Sequence, residues 1–217
     1  KSFLIYSKYI DKSGVAFSLC GIGGSLRILG NYKKSLACYK KANKIFSRLK
    51  DKFGMAYSNC GMGSAYRMMQ NVSKSIYYYK RAKKLYRSFD DIINYAYVIW
   101  GYGNTLILKG DIEEALKCNK EIIRLFKKVK DERGLVYGYL QLGGIFKLVG
   151  KNVLAINAFK KAMKKVVKNG LKLEKTHSKL GLYLCGALKT SPIQEYKKNH
   201  TKWTSVLKRN TFLLNFP

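Results

Sequence analysis

Proline is almost missing from this chain: Pro192 and Pro217 are the only two, so nothing across the first 190 residues forces a helix to break. Long apolar runs are missing as well. Lysine interrupts each hydrophobic stretch before it reaches the roughly 20 residues that a helical membrane span requires, and a soluble, cytoplasmic protein is expected. Histidine is limited to His177 and His200. The five cysteines, Cys20, Cys38, Cys60, Cys118 and Cys185, form no Cys-x-x-Cys pair and no zinc spacing with either histidine. Reduced, buried thiols are the expectation, with no metal and no cofactor. Acid is scarce too, 12 Asp and Glu against 43 Lys and Arg, which leaves few carboxylates for acid–base chemistry. No catalytic residue is expected, and the protein is read as a non-enzyme. A formal charge of +31 would repel the chain from itself, so an anionic partner is implied.

What the chain has in abundance is self-similarity. Asp11, Asp51, Asp91 and Asp131 lie forty residues apart, and each is followed three positions later by Gly14, Gly54, Asn94 or Gly134. Gly23, Gly63, Gly103 and Gly143 recur at the same step, as do Phe17, Tyr57, Tyr97 and Tyr137. A period of this length marks one supersecondary unit stacked on copies of itself, each too small to bury its own apolar face.

Each unit reads as two helices around a short break. Asp11 is placed to cap the first, which runs to about Leu29; Gly30, Gly110 and Gly150 are stops, with Gln70 in that place in the second unit. The second helix starts near Tyr32 and carries Leu36, Tyr39, Ala42, Ile45, Phe46 and Leu49 at helical spacing. The segments Cys20-Gly21-Ile22-Gly23-Gly24, Cys60-Gly61-Met62-Gly63 and Trp100-Gly101-Tyr102-Gly103 look like phosphate loops. They recur in mid-helix, however, where a dinucleotide loop needs a preceding strand and occurs once, so close helix packing explains them.

This pattern resembles the tetratricopeptide repeat in a long, forty-residue form. The family's small residue in the first helix matches Gly23, Gly63, Gly103 and Gly143, and its turn glycine matches Gly30, Gly110 and Gly150. Its small–aromatic–small run in the second helix matches Ser35-Tyr39-Ala42, Ser75-Tyr79-Ala82 and Ala155-Phe159-Ala162; the third unit departs with Ala115-Asn119-Ile122, where looser packing is expected. The resemblance covers about residues 1–168 and implies an all-α, right-handed superhelical solenoid of antiparallel helix pairs. Residues 1–13 read as the second helix of a truncated repeat, 14–170 as a four-repeat array, and 171–217 as a partial repeat and capping helix. In that last part Lys175 to Leu188 reads as a first-type helix, and Ser191-Pro192-Ile193-Gln194 as a capping box opening a final one. The tail Phe212–Phe216 either folds back or meets a partner. Because the chain starts midway through a unit, a longer protein is expected.

In the resembling family the first helices line a concave groove. That implies a peptide-binding face of Phe17, Arg27, Tyr57, Arg67, Tyr97, Trp100, Asn104, Tyr137 and Lys147, an aromatic ladder beside a cationic one. The arginines suit a carboxylate, and the aromatics either anchor a partner or pack between neighbouring helices. The second helices carry Lys40, Lys44, Lys80, Lys84, Arg124, Lys128, Lys160 and Lys164, a convex basic face. The reading favoured is a protein-interaction scaffold or adaptor holding a peptide or protein segment, acidic in character, in the groove. The alternative is an electrostatic anchor for nucleic acid or an anionic membrane, and head-to-tail homo-oligomers are a further expectation.

Overall fold

The computed structural model describes residues 11–198, and among them all regular structure is helical. The helices are α1 Lys12–Ile28, α2 Tyr32–Arg48, α3 Lys52–Met68, α4 Val72–Arg87, α5 Ile92–Lys109, α6 Ile112–Lys128, α7 Glu132–Leu148, α8 Asn152–Asn169, α9 Lys172–Leu184 and α10 Ile193–Lys198. Consecutive helices pack against one another from α1 to α4 and from α6 to α10. Two compact units divide within α5, after Thr105.

The recurring aspartates are N-caps. Oδ1 of Asp11, Asp51, Asp91 and Asp131 accepts the backbone N–H three residues on at 2.8–2.9 Å, a bond that stabilises a helix start by about 1 kcal/mol. Glycine at that third position has a second cause. A Cβ on Gly54 would stand 2.2 Å from the Phe46 ring, and one on Gly134 would stand 2.3 Å from Phe126. Turns after the first helices use the left-handed region at Gly30, Gln70, Gly110 and Gly150, where the sequence placed the stops. Those after the second helices put Lys50, Asp90 and Lys130 there too, a strain of about 1 kcal/mol or more apiece.

In the first unit Tyr39 is buried between Gly23 of its own hairpin and Gly61 of the next, which a Cβ would bring within 3.0 and 2.1 Å of the ring. Tyr79 sits likewise between Gly63 and Gly101, at 3.0 and 2.4 Å. Ser35 and Ser75 complete these contacts, their hydroxyls donating to the Gly23 and Gly63 carbonyls at 2.7 and 2.9 Å. Small residues therefore let the helices close on an aromatic that belongs to two hairpins at once.

The second unit repeats this once, with Phe159 between Gly143 and Gly181. At the earlier position Asn119 replaces the aromatic, and Gln141 stands where glycine would face it. Both residues are buried, and Asn119 Nδ2 donates to Gln141 Oε1 at 3.0 Å and to the Gly138 carbonyl at 2.9 Å.

The last hairpin departs from expectation in its bounds. Helix α9 begins at Lys172, with Leu171 as its N-cap after left-handed Gly170, and ends at Leu184 rather than Leu188 because Gly186 adopts φ 74° and lets Ala187 N–H reach the Leu182 carbonyl at 2.9 Å. Ser191 Oγ accepts from the Ile193 N–H at 3.5 Å, and α10 follows. Residues 1–10, most of the segment read as a truncated-repeat helix, and residues 199–217, with the apolar tail, lie outside the described residues. All five cysteines are free, but only Cys20 and Cys118 are fully buried; Cys38, Cys60 and Cys185 keep part of their surface. No described helix is long and apolar enough to cross a membrane.

Candidate groove site

Helices α1, α3 and the start of α5 carry the expected groove residues of the first unit. Phe17 packs edge-on against Phe46 at 4.7 Å and against Tyr57 at 6.2 Å, yet Phe17 and Tyr57 remain 37% and 42% exposed. The rungs of the ladder therefore touch one another and still present an open surface. Tyr97 and Trp100, on α5, are half-buried.

The cations of this unit lie deeper than the sequence suggested. Arg67 was expected on the open face and is 0% exposed, its guanidinium 6.0 Å from the Trp100 ring centre and hydrogen-bonded to Tyr79, whose hydroxyl also meets Ser64 at 2.8 Å. Asn104 is likewise buried, at 2%. Tyr79 from α4 and Trp100 from α5 stand against the Arg67 guanidinium. Burial lowers the Arg67 pKa, Tyr79 opposes that shift, and the Arg27 charge adds to it.

Arg27 is half-buried, but its Nε and Nη1 are shut off from solvent with no hydrogen-bond partner. Between them the two arginines act on Cys60. Burial pushes its thiol up to about 11, and both guanidinium charges pull it back. Asp11, Asp51, Asp90 and Asp91 are the only acids before residue 106, and none stands within a helix.

In the second unit Tyr137 and Lys147 stand on α7. There the chain supplies its own acid. Glu174 Oε1, from α9, accepts from Arg133 Nε and Nη2 at 2.8 Å and from the Tyr137 hydroxyl at 2.9 Å. Burial pushes the Glu174 carboxyl up, but these bonds and its own backbone N–H outweigh that effect and hold it below the ordinary range. Lys147 Nζ donates to Asn152 Oδ1 at 3.0 Å.

Arg133 and Glu174 were missed in the sequence reading. One signal existed: Glu174 falls in register with Gly14, Gly54, Asn94 and Gly134, the sole acid in that column. The eight basic residues of the second helices, Lys40, Lys44, Lys80, Lys84, Arg124, Lys128, Lys160 and Lys164, are all exposed.

Comparison with known proteins places the repeat. The tetratricopeptide repeat family model matches residues 14–88. Among solved structures, aspartyl phosphate phosphatase F from Bacillus subtilis superposes with a TM-score of 0.70 at 14% identity, over 92% of this chain and 51% of that one. The Rap conjugation gene regulator of plasmid pLS20, solved in complex with the Phr* peptide, gives 0.72 at 16% identity, over 95% of this chain and 58% of that one. A putative kinesin light chain of nearly identical TPR-like repeats from Podosopora anserina gives 0.61 at 10% identity, over 94% of both chains. At these identities the likeness is one of fold, and the chain spans little more than half the length of the first two. No curated protein matches the sequence.

Proposed function

We propose that this tetratricopeptide-repeat chain is a non-enzymatic protein-interaction scaffold whose first-unit groove takes an acidic or carboxylate-ended peptide segment. The observation that carries the reading is Arg27, which shuts two guanidinium nitrogens off from solvent without an acceptor, in the same unit as the fully buried Arg67. Leaving such donors unsatisfied costs about 1–3 kcal/mol, and an incoming carboxylate recovers that while relieving the repulsion between the two charges. The exposed faces of Phe17 and Tyr57 offer apolar anchorage next to the cations. That the similar Rap regulator was solved with a peptide bound supports a peptide as the occupant.

In the second unit Glu174 already fills the acceptor role for Arg133 and Tyr137, so that unit contributes less to capture. A peptide-display selection on the full chain tests the proposal. Enrichment of sequences with Asp, Glu or a free C-terminus, lost in Arg27→Gln, is expected; enrichment indifferent to acid content, or unchanged in Arg27→Gln, would overturn it.

A further inference from the structure

We infer that the outer face of the first unit's second helices, α2 and α4, is a binding surface for single-stranded nucleic acid, with Tyr77 as its stacking platform. The inference is independent of the groove, because it uses the opposite helices of each hairpin. Three observations carry it.

The first is uncompensated charge. Helices α1 to α4 contain no Asp or Glu, and three of the four acids in this unit are engaged as helix caps. Lys40, Lys44, Lys80 and Lys84 are exposed on α2 and α4, and each 40/44 or 80/84 pair shares a helical stripe. Lys109, Lys117, Arg133, Lys165 and Lys179, all in the second unit, meet carboxylates. Polyphosphate is the ligand class that rewards such an array, through counterion release.

The second is an aromatic ring set among those cations. Tyr77 is 52% exposed and stands where the other second helices carry Ala37, Lys117 and Asn157. Its ring is backed edge-on by Tyr78 at 5.0 Å, which in turn stacks on Tyr66 at 5.4 Å with 7° between the planes. Arg81 Nη1 donates to the Tyr77 hydroxyl at 2.8 Å, and its guanidinium carbon lies 5.6 Å from the ring centre. A positioned ring with a positioned guanidinium beside it can take a base and the adjoining phosphate together.

The third separates the polyanions. A membrane-binding helix face needs several inserting apolar side chains, and the stripe formed by Ser73, Tyr77, Lys80, Arg81 and Lys84 holds only Tyr77. In a duplex the bases are already stacked, so the ring has nothing to receive. An unpaired strand uses both the lysines and the tyrosine.

The test is fluorescence anisotropy of the full chain with a labelled oligouridylate of about 12 nucleotides, in parallel with a duplex of equal length. Binding to the single strand should weaken steeply between about 0.05 and 0.2 M salt, and the duplex should bind less tightly. Tyr77→Ala should cut single-strand affinity about tenfold and leave duplex affinity unchanged, while Tyr77→Phe should keep most of it. Lys80→Glu with Lys84→Glu should weaken both and flatten the salt dependence, and Arg27→Gln should alter neither. Equal affinity for strand and duplex, or a silent Tyr77→Ala with an unchanged melting curve, would reduce the surface to a non-specific polycation and overturn the inference. So would the absence of oligouridylate binding, or binding only to phosphatidylserine vesicles.

Discussion

In the first unit Tyr39 and Tyr79 each stand between two glycines, and the helices α1 to α4 carry no acid; in the second, Asn119 bonds Gln141 at one such junction and Glu174 ties Arg133 to Tyr137. One forty-residue backbone thus tolerates two kinds of junction. An aromatic wedge needs a glycine opposite it, and a polar pair needs a longer partner that reaches across, so the two positions change together or not at all. The same contrast holds for charge. Glu174 occupies Arg133 in the second unit, whereas in the first Arg27 Nε and Nη1 meet no acceptor.

The sharpest way to break the comparison is to convert one junction into the other. Asn119→Tyr alone should collide with Gln141 and cost about 3 kcal/mol, while Asn119→Tyr with Gln141→Gly should recover most of it. Urea denaturation of the two single variants and the double measures the coupling; strictly additive losses would mean that the junctions are not interchangeable.

Acid should separate the units next. His177, hydrogen-bonded through Nδ1 to Tyr196 at 2.7 Å, has its pKa lowered by burial to about 3. The folded ring stays neutral down to that value, while the unfolded ring protonates below about 6.5. Stability is therefore complete above that range and declines as pH falls, by about 2 kcal/mol at pH 5. The first unit has no histidine. Hydrogen exchange at pH 7 and pH 5 should show protection falling in residues 106–198 and holding in residues 11–105; equal losses would remove His177 as the cause.

Glu174→Gln should destabilise by about 1 kcal/mol, a modest figure because Arg133 is largely solvent-exposed. Thermal melting should show the loss vanishing when Arg133→Gln is already present. The smallest effect expected is a gain. Lys50→Gly in the first unit and Lys130→Gly in the second remove side chains from left-handed turns and should each stabilise by about 0.5–1 kcal/mol, read from the same melts.

Much of this was legible in the order of residues. The Asp-x-x-Gly register announced the caps, and the recurrence of glycine in mid-helix announced close packing rather than a phosphate loop. Tyr39, Tyr79 and Phe159 were readable as fillers between hairpins because their spacing matched the glycines they meet. The left-handed Lys50, Asp90 and Lys130 were not, since the register imposes that conformation on residues which do not favour it. The Arg133–Glu174 pair joins side chains 41 apart in sequence, and only a full turn of the repeat brings them together. Arg67 looked exposed because its own helix places it on the groove side; the side chains that bury it come from α4 and α5.

Calorimetric titration of the full chain with one acidic peptide, as the free acid and as its C-terminal amide, bears most directly on the groove. The free acid should bind wild type about tenfold more tightly than the amide, and Arg27→Gln should erase that preference while leaving the melting temperature in place. Equal affinity of acid and amide for wild type, or a preference that survives Arg27→Gln, would contradict the proposal that Arg27 receives a carboxylate.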